Sequence, residues 1–213
     1  GGSSLFDGVD LSIEGLIQFA GDRPPRDLTV GLAAVARHAR TALQVFEREG
    51  TLAAGEPVLQ GLASVRNLRG QLPSLALSDD ARWEIDFRLA AKERQFERAA
   101  VLAHGLRLEA LADDGLVVPG QPITISPLVA NRGTVDVIVE QVRLTGFDRT
   151  SVACGEDVLV AGGVYGCSSE LRIPDGAEPT SIHWTHVPGF ARYEFDPRVP
   201  FGVPFRPSPF SAT

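Results

Sequence analysis

"LADDGLVVPGQPITISPLVANRG", Leu111–Gly133, is where the chain changes period. Before it, apolar residues recur every three or four positions, the spacing of one helix face. After it they alternate: Ile123, Ile125 and Val129 against Thr124, Ser126 and Leu128, with Pro127 interrupting. Asp113, Asp114 and Gly115 read as a helix stop, and Asn131, Arg132 and Gly133 as a turn. This predicts an α+β chain with its helices first and its strands second.

Upstream, Leu28, Leu32, Val35, Ala39, Ala42 and Phe46 form one stripe, opened by Asp27 as a cap after Pro24 and Pro25 and closed by Gly50. Val58, Leu62, Val65, Leu68 and Leu72 form a second, with Pro57 in its first turn. The third and longest runs from about Asp79 to about Ala112 through Ile85, Leu89, Phe96, Ala99, Ala103, Leu106 and Ala110, with Lys92 completing the spacing. On it, Glu84 and Arg88 make an i,i+4 pair. A shorter helix is expected over Leu11–Ala20. Three stripes with short connections predict an antiparallel helical bundle or a long helical hairpin.

Downstream, "VDVIVEQVRLTGF" reads as a strand with Val142 and Leu144 facing inward, and "VLVAGGVYGCSSELRIP" as two more arms around Gly162 and Gly163. Such spacing predicts an antiparallel, immunoglobulin-like β-sandwich, with Pro127 on an edge strand or at a bulge. The tail from Pro197 to Pro209 is rich in proline, and Phe201, Phe205 and Phe210 within or just after it read as clamps holding an extended strap. The domains expected are residues 1–25, a linker containing Ser3 and Ser4 with the short helix; 26–112, helical; and 113–213, the sandwich with its tail.

The net charge of −7 over 213 residues, evenly mixed in sign, argues against nucleic acid or an anionic membrane as partner. No apolar run approaches the roughly 20 residues a membrane span needs. The chain has no methionine and opens on "GGSS", so it reads as an internal piece of a longer protein. "PSPFSAT" at the other end reads as the start of a further strand. Cys154 and Cys167 bracket a turn-rich segment. They suit a disulfide between the arms of a hairpin in an oxidising compartment, the other reading being two buried thiols.

Few residues suggest chemistry. His38 and His104 are lone histidines on helices, and Asp113 and Asp114 a solvated helix end. His183 and His186 stand in an H-x-x-H spacing around Trp184. As a metal pair they would sit on a strand or loop, where i and i+3 point to opposite faces, and would need further ligands from Glu178, Glu194 or Asp196. Otherwise they are structural, or form a binding surface with Trp184, Phe190 and Tyr193, whose rings can stack on sugars. Motifs for a P-loop, a dinucleotide site, a nucleophile elbow or a zinc protease are absent.

The order of segments resembles a known family. "LFDGVDLS" (5–12), "DARWEIDFRLAAKERQFERAAVLAHGLRLEALADDGLVVPGQPITISPLVANRG" (80–133) and "PFGVPFRPSPF" (200–210) are similar to the downstream region of long bacterial PIG-L/LmbE-type deacetylases. The resemblance covers most of the chain. It implies a multidomain exported enzyme, secreted or periplasmic, whose N-terminal α/β domain removes acetyl groups from N-acetylglucosamine-type substrates with zinc. That family's zinc site uses an Ala-His-Pro-Asp-Asp motif and a later histidine; "LADDG" lacks the histidine and proline, and "HWTH" lies far downstream. No catalytic or metal-binding residue is carried over. The chain is then expected to be a non-catalytic accessory region without a cofactor of its own, zinc belonging to the catalytic domain, which would be its partner. The alternative is a carbohydrate- or surface-binding module.

Overall fold

The computed structural model describes residues 7–8, 10–200, 203 and 205–213. Ser3, Ser4 and Phe201 lie outside the described residues. The fold is α+β with antiparallel sheets, in two compact units: residues 1–107 with 131–135, and residues 108–130 with 136–213.

The first unit is built on α1 (Arg26–Glu49), α2 (Gly55–Gln71) and α3 (Asp79–Ala103). They run antiparallel in sequence. Going up α2, Arg66 pairs with Glu93 and Glu97, then Arg69 with Asp86 and Glu93, so numbers on α3 fall. On the other side, Gly31 of α1 lies against Leu68, and His38 Nδ1 is 2.9 Å from Ser64 Oγ. The core is the three stripes: Leu28, Leu32, Val35 and Ala42; Val58, Leu62, Val65, Leu68 and Leu72; Ile85, Leu89 and Phe96. Phe46 of the first stripe is exposed instead. Asp27 is not the cap; Pro25 holds that position without a side-chain bond, and Asp27 lies in the first turn, where its charge favours the positive helix end. Ser78 does cap α3, accepting from the Ala81 N–H. The short helix is a 3-10 helix, Glu14–Ala20, whose Phe19 packs under the Arg88 guanidinium at 4.5 Å.

The third helix ends nine residues before the expected point. Gly105 adopts φ 66°, the left-handed conformation that stops helices. Leu106, Leu108 and Ala110, which extend the helical stripe on paper, also alternate with Arg107 and Glu109, and Leu106–Ala112 is strand β1. Asp113 and Asp114 therefore end a strand, not a helix.

The remaining strands are β2 (Pro122–Asn131), β3 (Val137–Val139), β4 (Val142–Thr145), β5 (Ser151–Cys154), β6 (Asp157–Leu159), β7 (Val164–Gly166), β8 (Ser169–Arg172), β9 (Trp184–His186), β10 (Tyr193–Phe195) and β11 (Ser211–Ala212). β2 pairs with β1 on one side and with β8 and then β7 on the other. Pro127 is thus on an inner strand, at the changeover between β8 and β7, where a missing N–H breaks no ladder bond. "VDVIVEQVRLTGF" is two strands rather than one: β3 pairs with β6, and β4 with β5 and β11. The arms around Gly162 and Gly163 likewise enter different ladders, β6 with β3 and β7 with β2. Ile123, Ile125, Leu144, Leu171 and Ile173 form the core of the second unit. Asn131 makes the expected turn, accepting from the Gly133 N–H and donating to the Val135 carbonyl.

Cys154 and Cys167 form a disulfide with Cα atoms 5.8 Å apart. It closes no hairpin. Cys154 ends β5 and Cys167 follows β7, so it joins the β4–β5–β11 sheet to the sheet of β1, β2, β7 and β8. In the tail, Phe210 stacks on Phe147 with centroids 4.8 Å apart. Phe205 is exposed and clamps nothing; its neighbour Arg206 holds the strap by pairing with Asp196 at 2.7 Å.

Candidate functional site

The H-x-x-H stretch lies on a hairpin that presents an aromatic face to solvent. β9 and β10 pair antiparallel, with His186 opposite Tyr193, Thr185 opposite Glu194, and Trp184 opposite Phe195. The turn closes through Phe190 N–H to Val187 O, 3.1 Å, and Gly189 at φ 82° supplies the conformation it needs. Cross-strand partners share a face and neighbours along a strand do not. Trp184, His186, Tyr193 and Phe195 therefore stand together, with Thr185 and Glu194 behind them.

All four are solvent-exposed: Trp184 by 38%, Tyr193 by 52%, Phe195 by 55%, and His186 with them. The Tyr193 ring meets Trp184 edge-on at 5.0 Å and 85°, and His186 at 5.4 Å and 69°. A right-angled pair cannot lie flat on one ligand; it forms a corner, one ring as floor and the other as wall. The polar atoms on this face belong to neutral-capable groups, the tyrosine hydroxyl, the indole N–H and the imidazole. Charge lies beside it, in Arg192 over the Phe190 ring at 5.4 Å and 3.6 Å from Glu194.

The two histidines are not brought together. His186 belongs to the exposed face, whereas His183 is only 6% exposed, 5.9 Å from the Phe195 ring, with its carbonyl accepting from the Asp196 N–H. Of the acids near in sequence, Glu178 pairs with Arg198, Glu194 with Arg192, and Asp196 with both Arg198 and Arg206. Hydrogen bonds from Arg198 to Asp196, with Arg206 adding to them, hold that carboxyl far below the usual carboxylate range. No three His, Cys, Asp or Glu side chains are grouped to hold a metal ion among the described residues.

The other candidates have local roles. His38 meets Ser64, and His104 Nδ1 lies 2.9 Å from the Ala100 carbonyl at the end of α3. Asp113 accepts from the Thr124 N–H, and Asp114 from the Leu116 N–H and the Gln121 amide; these bonds lower both carboxyls below their ordinary range. A shallow cavity of about 670 Å³ on the helical unit is lined by Arg69, Arg82, Trp83 and Asp86, and another of about 300 Å³ by Asp10, Phe19, Arg88 and Lys92. Phe195 is the member of the aromatic face that the sequence reading missed. Its signal was alternation: "WTH" and "YEF" each place two rings two residues apart around a Pro-Gly turn.

No protein-family model matches the chain, and no curated protein matches it. Among solved structures, the chain is similar to the Pseudomonas fluorescens alkylpurine DNA glycosylase AlkC bound to DNA containing an abasic site analog, at 10% identity and a TM-score of 0.28. The match covers 79% of this chain and 57% of that one, so the chain spans little more than half that protein's length.

Proposed function

We propose that the β-rich unit is a non-catalytic carbohydrate-binding module that attaches its parent protein to polysaccharide through the β9–β10 hairpin. The observation that carries this reading is the exposed aromatic corner of Trp184 and Tyr193, flanked by His186 and Phe195. Pyranose C–H faces stack on aromatic rings, and hydroxyls pair with the nearby tyrosine, indole and imidazole groups. Among the described residues no carboxylate, lysine or arginine belongs to this face, which favours a neutral, N-acetylated or plain sugar over a uronic acid.

In the same reading the short antiparallel strands are an immunoglobulin-like sandwich, and the chain is the accessory region of a larger bacterial enzyme resembling PIG-L/LmbE-type deacetylases. The hairpin then keeps the catalytic domain, with its zinc, on N-acetylglucosamine-type polymer. A secreted or periplasmic setting agrees with the Cys154–Cys167 disulfide, which persists in oxidising compartments. No described helix is long and apolar enough to cross a membrane.

Co-sedimentation with insoluble chitin and peptidoglycan tests the binding. The chain is expected to partition with one of them, and Trp184→Ala with Tyr193→Ala to lower the affinity by about tenfold or more, a loss of roughly 1–3 kcal/mol as for other stacking platforms. Absence of binding to either polymer, or equal binding by the double variant, would sink the proposal. The parentage is tested separately by the upstream reading frame, which must encode an Ala-His-Pro-Asp-Asp domain.

A further inference from the structure

The side of α3 that faces away from the core carries a pattern of its own. Ile85, Leu89 and Phe96 point inward and are buried. At about 100° per residue, the opposite direction is taken by Asp80, Trp83, Phe87, Ala91, Arg94 and Arg98. Trp83 is 62% exposed and Phe87 59%, with their rings stacked 5.4 Å apart and 10° from parallel. Asp80, Arg94 and Arg98 are also exposed, and no ion pair occupies them among the described residues. Glu84, at the margin, is held by Arg88.

Positions 80, 84, 87, 91, 94 and 98 alternate steps of four and three, the spacing of a helix–helix seam. Along it the chemistry runs from acid through aromatic and small to base. Such a sequence complements itself when reversed. In an antiparallel pair with its two-fold axis level with Leu89, Asp80 meets the partner's Arg98, Glu84, already paired with Arg88 of its own helix, faces the partner's Arg94, and Phe87 meets the partner's Ala91, whose small side chain leaves room for the ring. A parallel pair would instead set Asp80 on Asp80 and Arg98 on Arg98. The antiparallel arrangement also opposes the helix dipoles. The same patch on both copies makes a closed two-fold contact.

From this complementarity we infer that the outward face of α3 binds a second copy of this chain, antiparallel, through Asp80, Trp83, Phe87, Ala91, Arg94 and Arg98. One helix pair of this length buries on the order of 1,000 Å², the low end for specific interfaces. The dimer is therefore weak and concentration-dependent.

Sedimentation velocity of the whole chain across a micromolar-to-millimolar series is the test. Wild type is expected to pass from monomer to dimer. Asp80→Arg and Arg98→Asp each set like charges opposite one another and weaken the dimer by about tenfold or more. An equimolar mixture of the two variants restores it, because both contacts of the mixed pair are then between opposite charges. All these positions are exposed, and unchanged far-UV circular dichroism verifies that the helices remain folded. A wild type that stays monomeric throughout overturns the inference. So does a mixture no more associated than either variant alone, or association lost in Trp83→Ala but indifferent to both charge reversals, which shows copies meeting through the rings without the antiparallel charge register.

Discussion

Gly61 of α2 faces the Phe96 ring of α3: a Cβ built there would lie 2.2 Å from Phe96 Cε1. On an open helix surface, Gly→Ala stabilises by about 1 kcal/mol, because alanine is the better helix former. Here the added methyl must displace a ring packed in the core, so Gly61→Ala is expected to destabilise by about 1–3 kcal/mol, the usual effect of overpacking. Gly31 is a second such position, since a Cβ there would lie 2.6 Å from Cδ1 of the core residue Leu68, and Gly31→Ala is expected to destabilise as well. Thermal melts of the two variants check this; an increase in stability in Gly61→Ala would show that the helices have slack at this crossing. Neither glycine stands out in the sequence, whereas the buried leucines of the same helices do. Periodicity reveals which face is buried, but close approach depends on what the neighbouring helix presents. The same limit applies to His183 and His186, whose three-residue spacing is legible while the burial of one and exposure of the other is not.

At the scale of elements, the helices were legible because their apolar stripes are long and end at glycine or proline. The end of α3 was misread because "LRLEALA" satisfies both periods, and Gly105, not hydrophobicity, decides between them. Splitting of "VDVIVEQVRLTGF" between two ladders follows from pairings with residues 151–159 and 211–212, which no local pattern encodes. The tail shows the same dependence. β11 adds to β4, with Ser211 opposite Thr145, and the segment before it is tied by Arg206 to Asp196. Asp196 is pulled below its ordinary range first by Arg198, two residues away, and further by Arg206, so the tail-bound state takes up a proton less readily than the released state. The tether is therefore complete at neutral pH and weakens only as pH falls below the ordinary carboxyl range. Asp196→Asn is expected to speed chymotryptic cleavage after the exposed Phe205 at pH 7 and to leave a smaller difference from wild type under pepsin at low pH. Equal cleavage of both proteins at pH 7 would mean that β11 pairing alone holds the tail.

At the scale of the whole molecule, the apolar residues gather into two separate cores, one of Leu28 to Phe96 and one of Ile123 to Ile173. Cooperative unfolding belongs to a core and its packed neighbours, so each unit is expected to have its own transition. Covalent reinforcement is uneven: the Cys154–Cys167 bridge joins two sheets, both within the second unit. By restricting the unfolded chain it contributes roughly 2–4 kcal/mol to that unit alone. The two tryptophans allow the units to be followed apart, since Trp83 lies on α3 and Trp184 on β9. In a Trp83→Phe background, indole fluorescence reports the β-rich unit while ellipticity at the helical band reports the first. Reductant is expected to lower the denaturant midpoint of the fluorescence transition and leave the helical one in place. Coincident transitions that shift together on reduction would show one cooperative body instead, and the hairpin's aromatic face would then draw its rigidity from the helices as well as from the disulfide.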